Sequence, residues 1–413
     1  MRYVDIVVVG GGPAGAATAC GLAAIGREVL LIERSLGSHH KVCGEFISPE
    51  TAAHLVQLGV DPSALGAVSI DRVCLAGRNR SVSTDLPSTG LSLSRFRLDE
   101  AIRRRAECLG AEVWRGVRVQ SITRRDKNWV LYSNGNGPIH CRNLVYATGK
   151  SGLRGLPDLR GRSMVGLKIH LYPSRSAAIA LAGQTALFLL DKGYAGLQMV
   201  EDGLANLCLI LPASKVAGIG RGWRPLRDFL MQNNPHLGKR LETLSALSDT
   251  PLAVVCPKGG YIYRSPGFEG ESSLYPVGDR LGHIPPFTGD GLAIALGSAA
   301  LVVESLRRGV SAAQYLLTAR RGIERAVRVA RGVSWLATDG IGQSILTGAS
   351  SCSPELVRWI FRATRVPNTR FKPYPVIRGQ FQFPASGKFL PLAGDGPQHS
   401  ASAPGITPNN YSL

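Results

Sequence analysis

The eight cysteines of this 413-residue chain are scattered, and no two form a C-x-x-C pair. That absence argues against zinc and iron–sulfur sites. Neither G-x-S-x-G nor H-E-x-x-H occurs, which argues against serine hydrolysis and zinc proteolysis of those kinds. No stretch resembles a nucleic-acid-binding module, so nucleic acid is not an expected partner. No secretory segment stands out, and the expectation is a reducing cytoplasm with the cysteines as free thiols. Acids are scarce as well: 29 Asp and Glu stand against 48 Lys and Arg, a formal net charge of +19.

A basic balance of that size can draw an anionic substrate, an acidic carrier protein or a peripheral membrane contact. An arginine-rich surface with no dedicated partner is the plainer account. From Ala319 to Arg331 the basic residues are ordered: Arg321, Arg325 and Arg328 recur at helical spacing opposite Ile323, Val327 and Ala330. Such a face suits a membrane surface or a solvated helix lying on a core. Hydrophobic residues make up 44% of the chain, as in an ordinary globular protein. The length allows two domains, since single cores stop growing near about 250–300 residues.

The most informative stretch runs from Val4 to Arg34. An apolar run, Ile6 to Val9, stops at a glycine cluster; a small-residue helix follows, and a second apolar run, Val29 to Ile32, ends on Glu33. Gly10, Gly12 and Gly15 form G-x-G-x-x-G. The first permits a tight turn, the second lets backbone approach a diphosphate, and the third lets helix pack on strand. The diphosphate would rest on the free N–H groups and positive dipole of the helix N-terminus. Glu33, about 20 residues on, can accept both hydroxyls of an adenosine ribose and disfavours a 2'-phosphate. Residues Ile6 to Gly26 carry no charge, but their glycines and Pro13 suit a turn and a packed helix better than a membrane span.

Beyond Glu33, a polar loop leads to Lys41-Val42-Cys43-Gly44-Glu45, and Ser48-Pro49-Glu50 marks a helix start with Ser48 as cap. Val73 to Leu75 opens a strand of another sheet. Arg95-Phe96-Arg97-Leu98-Asp99 leads into a helix over Glu100 to Leu109. Strands are predicted between Val113 and Tyr132, at Ile139 to Cys141 after an Asn-Gly hairpin turn, and at Leu144 to Ala147. Apolar residues from Val165 to Leu171 alternate with Gly166, Lys168 and His170, the pattern of a half-buried antiparallel strand. Ala186 to Leu190, Leu197 to Val200 and Asn206 to Leu211 continue that sheet, and helices from Ala213 to Leu247 close it. The chain then returns to a buried strand, Leu274 to Val277, and a buried helix from Leu292 to Val303. A helix beginning at Gly289-Asp290-Gly291 presents bare N–H groups to a flavin carbonyl. The tail from Val366 is rich in Pro, Gly and Ser, and is read as disordered or as a wrap over the surface.

Four segments together resemble the flavoproteins of the para-hydroxybenzoate hydroxylase fold, most closely their geranylgeranyl reductase branch. They are Gly10 to Gly15 with Glu33-Arg34, Arg95-x-x-Leu98-Asp99, Ala147-Thr148-Gly149, and Gly278-Asp279 through Gly291. Gly282 stands where aromatic hydroxylases carry histidine. Lys41-Val42-Cys43-Gly44 and Gly193-Tyr194-Ala195-Gly196 are similar to that branch's cysteine segment and substrate-sheet strand. The departures are Arg280 for a usual alanine, which would bring a cation beside Asp279, and Thr148 where hydroxylases carry an aspartate. A halogenase-type W-x-W-x-I-P segment is absent.

The resemblance implies an α/β plus antiparallel β fold: a discontinuous Rossmann-like FAD-binding domain with a separate antiparallel substrate domain. Residues 1–160 and 255–335 would form the first, 161–254 the second with help from 70–92, and 336–413 a helical segment and tail. FAD is the implied cofactor, with NAD(P)H or another external donor. Its contacts would come from Gly10, Gly12, Pro13, Ala14, Gly15, Glu33, Arg34, Cys43, Gly44, Arg95, Val119, Ala147, Thr148, Gly149, Gly278, Asp279, Pro286, Gly289, Asp290, Gly291 and Leu292. No resident metal is expected.

The expected reaction is hydride transfer from reduced flavin to a double bond of an apolar isoprenoid-like or polyketide-like substrate. Cys43, or a water held by Glu45 or Tyr194, would supply the proton, and Leu187, Leu189, Leu197 and Leu209 would offer apolar faces. The alternative is a monooxygenase in which reduced flavin activates oxygen and His283 relays a proton. A flavin electron carrier is a third reading. The location is expected to be cytoplasmic, with or without membrane association.

Overall fold

Ile6 to Val9 are apolar on both sides of the strand they form, and such a strand has to be covered on both faces. In the computed structural model, which describes residues 2–156, 162–257, 259–263, 273–366 and Tyr374, β1 (Arg2–Val9) lies inside a seven-stranded sheet. The chain passes through α1 (Pro13–Ala24) and returns as β2 (Val29–Glu33), parallel to β1 with Ile6 opposite Val29. The uncharged stretch is thus divided between a strand and a helix. Among the described residues no helix is long and apolar enough to cross a membrane.

After the short β3 (Phe46–Ile47), Ser48 caps α2 (Pro49–Gln57) by accepting the Thr51 N–H. Two strands, β4 (Val68–Ala76) and β5 (Ser81–Ser92), join a second sheet before α3 (Arg95–Cys108) brings the chain back. Because Ser94 caps α3, the helix begins at Arg95 rather than Glu100 and carries the whole R-F-R-L-D segment. β6 (Glu112–Arg115), β7 (Val119–Arg125), β8 (Asn128–Ser133) and β9 (Asn136–Tyr146) complete the first sheet in the order β6-β2-β1-β9-β8-β7. The strands expected at Ile139–Cys141 and Leu144–Ala147 are one: β9 runs parallel to β1 from Ile139 to Tyr146 and antiparallel to β8 on its other side.

The second sheet is built from β10 (Arg162–Pro173), β11 (Gln184–Leu190), β12 (Gly193–Met199), β13 (Ala205–Pro212), β14 (Leu244–Ala246) and β15 (Leu252–Pro257) with β3, β4 and β5. Its pairings are antiparallel except for β11 on β4. Helices α4 (Arg175–Leu181), α5 (Ala213–Ala217), α6 (Trp223–Asn233) and α7 (Pro235–Leu241) fall between these strands. Leu181 of α4, Leu226 and Leu230 of α6 and Leu237 of α7 share a core with Phe188, Leu197, Leu207 and Leu209 on one face of the sheet.

The chain then supplies β16 (Tyr261–Ile262), β17 (Leu274–Pro276), which extends the first sheet beside β9, and β18 (Gly282–His283). The buried helix α8 (Gly291–Arg308) packs on α1, closely enough that a Cβ at Gly21 would lie 2.6 Å from Val303. Helices α9 (Ala312–Thr338), α10 (Gly340–Cys352) and α11 (Pro354–Thr364) follow. In α9, Ile323, Val327 and Ala330 are buried and Arg325 and Arg328 exposed, as their spacing required. The expected tail falls outside the described residues apart from Val366, which is buried, and Tyr374, whose hydroxyl donates to the Leu296 carbonyl at 2.8 Å. Both sheets lie in one compact unit.

Candidate active site

The glycine turn has the geometry its spacing demands. Gly10 sits at φ 107°, and a Cβ there would lie 2.4 Å from the Ala147 carbonyl oxygen, inside contact distance; one on Gly15 would lie 1.9 Å from the Gly10 oxygen. Gly12 differs, because a Cβ on it would meet only the Lys41 ammonium, at 3.8 Å. Pro13 and Ala14 open α1, and no side chain caps it, so its first N–H groups are left to a ligand. Glu33 is buried and accepts the N–H of Gly11 at 2.6 Å and of Ser35 at 2.9 Å. Burial alone would raise its pKa; the Ser35 and Gly11 N–H groups and Lys41 outweigh that and hold it below the usual range. Arg34 is exposed. Behind the turn, buried Arg103 donates to the Gly11 carbonyl at 3.0 Å while its other edge binds Glu100.

Arg95 holds Asp99 with two hydrogen bonds, at 2.7 and 3.0 Å, and Lys41 reaches the same carboxylate at 2.9 Å. Burial opposes the Asp99 charge, but the two cations keep its carboxyl well below the ordinary range. The Arg95 guanidinium also reaches the Cys43 side chain. Facing them, Asp279 lies 3.5 Å from His283, and burial is again outweighed, here by His283, Lys150 and Arg95. Arg280 does not crowd Asp279 as its sequence position implied. Its guanidinium lies 4.7 Å over the Tyr146 ring and donates to Thr148 Oγ1 at 3.1 Å, a direction in which an aromatic face compensates a buried cation.

The G-D-G turn is held from outside. Asp290, fully buried, accepts from Arg365 at 2.6 Å, and Arg365 stacks 3.6 Å from the Phe361 ring centroid and 5.5 Å from that of Phe46. Burial pushes the Asp290 pKa up to about 7 despite the arginine. Its side chain therefore turns toward the end of α11. Leu292 and Gly278 are buried, Pro286 is exposed, and Gly289 takes a left-handed φ of 74°. Gly44, Gly149 and Gly291 each have open space where a Cβ would stand. Val119 lies in the core of the first sheet with Trp129 and Leu131.

The largest difference from expectation is on β10. Lys168 and His170 alternate with apolar residues, yet they are 1% and 7% exposed. Both bind Glu45: the Lys168 ammonium meets one carboxylate oxygen and His170 Nε2 the other, at 3.0 Å. The Arg95 N–H adds a third bond at 2.9 Å. Glu45 itself is fully buried in a left-handed conformation, φ 62°. Burial would raise its pKa, and Lys168 with His170 lowers it below the ordinary value. His40 packs edge-on to His170 at 4.9 Å, and burial with Lys168 and His170 drives its pKa down to about 4. Ligand atoms of His40, Glu45 and His170 lie within 4.8 Å of one another, but the Lys168 ammonium already occupies Glu45. Asn206 ties in the same loop by donating to the Cys43 carbonyl at 3.0 Å.

The site-facing side of the second sheet is thus polar at one end and apolar at the other. Tyr194, Leu189, Leu187, Ile210 and Met164 form the apolar end with Phe287, whose ring meets Tyr194 edge-to-face at 5.0 Å. Burial pushes the Tyr194 hydroxyl well above its usual pKa, so it is a neutral donor. Leu197 and Leu209, expected beside Leu187 and Leu189, point the other way into the core against α6 and α7, because strand parity puts them on the opposite face. Lys41, Arg103, Lys168, His170 and Arg365 were not singled out from sequence as parts of the site.

A cradle with tight contacts at Gly10 and Gly15, open space at Gly12, Gly44, Gly149 and Gly291, and a buried acid at the end of β2 fits an FAD. That makes the class a dinucleotide-binding flavoprotein. Residues 3–155 match the family described as FAD binding domain. Menaquinone reductase of Mycobacterium tuberculosis is 32% identical over 153 residues, 35% of this chain and 37% of that one, so this match spans little more than a third of the relative. Menaquinone reductase of Mycolicibacterium smegmatis is 24% identical over 74% of this chain and 76% of its own length. Digeranylgeranylglycerophospholipid reductase 2 of Methanosphaera stadtmanae is 27% identical over 72% and 76%. Among solved structures, the flavin-dependent brominase Bmp2 superposes with a TM-score of 0.70 at 16% identity, covering 90% of this chain and 96% of that one, and attests the fold alone. The chain thus carries an FAD binding domain over residues 3–155 and, over about three quarters of its length, is similar in sequence to reductases named for menaquinone and for digeranylgeranylglycerophospholipid.

Proposed function

We propose that this protein is an FAD-dependent reductase that saturates a carbon–carbon double bond in a polyisoprenoid lipid. The observation that carries the reading is the second sheet's divided face: Glu45 with Lys168 and His170 beside Cys43 at one end, and the apolar Tyr194, Leu187, Leu189 and Phe287 group at the other. A long apolar chain fits the second end, and a reacting bond near Cys43 fits the first. Relatives that match about three quarters of this chain include ones named for menaquinone and for digeranylgeranylglycerophospholipid. Both molecules carry polyisoprenoid chains, which supports the same substrate class here.

FAD, when bound, supplies the hydride. The α1 N-terminus and Lys41 would hold its diphosphate, Glu33 its adenosine ribose, and the α8 N-terminus its pyrimidine end. Glu45 is fully buried and already accepts from three donors, so its part is to position the loop. Cys43, with Arg95 at its side, is the proton donor to the second carbon in this reading, and Tyr194, a neutral donor, is the alternative. Electrons come from NAD(P)H or another external donor, which has to reach the flavin without a nucleotide domain of its own.

The test is to reduce the purified protein chemically without oxygen, add geranylgeranyl lipids, and follow flavin reoxidation with product mass. A product heavier by two hydrogens is expected. Reoxidation only after oxygen is admitted would instead favour a monooxygenase, for which the His283–Asp279 contact at the flavin edge is the supporting observation.

A further inference from the structure

We propose that the outer surface of α9, α10 and α11 is a docking face for an anionic lipid bilayer. The inference rests on the reductase reading and says where the enzyme meets its substrate. Most exposed large apolar residues of a soluble domain are isolated and need no explanation. Here, apart from Leu317 near the start of α9, four of them lie on three successive helices that pack on one another: Trp335 is 64% exposed, Ile341 77%, Ile345 57% and Trp359 57%. Ile341 and Ile345 share a face of α10 by their spacing. That helix, Gly340–Cys352, contains no charged residue.

The charge around this patch is mostly basic. On α9, Arg331 and Arg328 precede Trp335 by four and seven positions, so they line up with it along the helix, and Arg325 is exposed a further turn back. On α11, Arg362 follows Trp359 by one turn and is exposed. Acids are few: Glu324 pairs with Arg328, Glu355 with Arg358, and Asp339 caps α10. Tryptophan beside arginine, with an uncharged apolar helix between, is the composition that settles at a lipid headgroup boundary, and the chain's charge of +19 favours an anionic one.

The same helices also wall the apolar end of the site. Val333 and Ala337 of α9, Leu346 of α10 and Ile360 of α11 close over Tyr194, Leu189 and Phe287. Each helix therefore presents one side to that cluster and the other, only a few residues away, to the surface. A lipid-borne isoprenoid entering between them would pass from bilayer to cluster without crossing water, which is where a long apolar chain is costly to expose.

The experiment uses full-length protein loaded with FAD and vesicles of phosphatidylcholine, alone or mixed with phosphatidylglycerol. Co-sedimentation with the mixed vesicles is expected, weakened by salt, with little binding to phosphatidylcholine alone. The double variant Trp335→Ser, Trp359→Ser should bind at least about tenfold more weakly. It should keep wild-type flavin content and circular dichroism, since both side chains are mostly exposed. A second variant, Arg328→Gln, Arg331→Gln, should lose the preference for phosphatidylglycerol. Absence of binding to mixed vesicles, or unchanged binding by both variants, would overturn the proposal. So would a wild-type dimer, seen by light scattering, that the tryptophan variant dissolves, because a second copy would then be the occupant. Turnover of detergent-dispersed geranylgeranyl lipid is scored separately: its absence would count against the reductase reading whatever the vesicles show.

Discussion

Replacing Lys168 by Met tests whether the inward-turned half of the second sheet is an electrostatic structure or a packing accident. The two side chains have similar length and apolar stems, so the change removes mainly the ammonium. What remains is Glu45, fully buried, with His170 and one backbone N–H to hold its charge. Removing one partner of a buried ion pair costs about 3–5 kcal/mol, because the other charge is left without compensation. That is a large part of a typical domain stability. Glu45→Gln should cost a similar amount by stranding Lys168. The double variant, which leaves no buried charge, should recover most of it.

The pH dependence separates this from a cavity effect. In the wild type Glu45 titrates below its unfolded value of 4.5, so the pair stabilises the fold above that pH, and the contribution is lost as pH falls through the folded-state pKa. Without Lys168 burial raises the folded-state pKa instead, and the sign reverses. The variant is then weakest near neutral pH and approaches wild type below about pH 5. Urea unfolding with and without FAD, across that range, is the assay. A loss under about 1 kcal/mol, or one that does not change with pH, would refute the electrostatic account.

Three shorter predictions follow from the same coordinates. Gly12→Ala should fold as apoprotein with an unchanged melting temperature, since its Cβ meets only Lys41 at 3.8 Å, yet lose FAD; Gly15→Ala, driven to 1.9 Å from the Gly10 oxygen, should unfold early in the same thermal scan. Asp290 carries a folded-state pKa raised from 3.8 to about 7, so the wild type loses stability as pH rises between those values. Asp290→Asn should flatten that slope in urea titrations, and an unchanged slope would remove Asp290 from the account. Cys43→Ser should retain full flavin absorbance while anaerobic turnover of geranylgeranyl lipid falls at least about a hundredfold, the lower range for loss of a general acid; equal turnover would assign the proton to another group.

The nucleotide half was legible because its signals are local. G-x-G-x-x-G followed by a helix and an acid at the end of the next strand is a sequence statement of one βαβ unit, and β1, α1 and β2 follow it closely. Ser48 was readable as a cap for the same reason. The second half depended on contacts between distant segments. Alternation along β10 established that Lys168 and His170 share a face, but not that this face is covered. Their partner, Glu45, lies more than a hundred residues earlier, on a loop whose left-handed backbone no local pattern announces. Arg365 was invisible for a similar reason: it meets Asp290 across 75 positions. Leu197 and Leu209 were grouped with Leu187 and Leu189 by hydrophobicity, when strand parity separates them.

The charges gathered around the cradle follow one rule. Asp99 is held by Arg95 and Lys41 and Glu45 by Lys168 and His170, while Asp279 meets His283 and feels Lys150 only through space. Asp99 and Glu45 thus each meet two basic groups, so around them the basic groups outnumber the acids. For a site that only had to be stable, one cation for each acid would satisfy the buried charge. A surplus suits a ligand that brings its own negative charge: a diphosphate at the α1 N-terminus and, after reduction, the pyrimidine end of a flavin at the α8 N-terminus. The acids then have a positioning role, fixing Arg95, Lys41 and Lys168 in place. Part of the excess charge of +19 thereby has a specific location and use, distinct from the arginines on the outer face of α9.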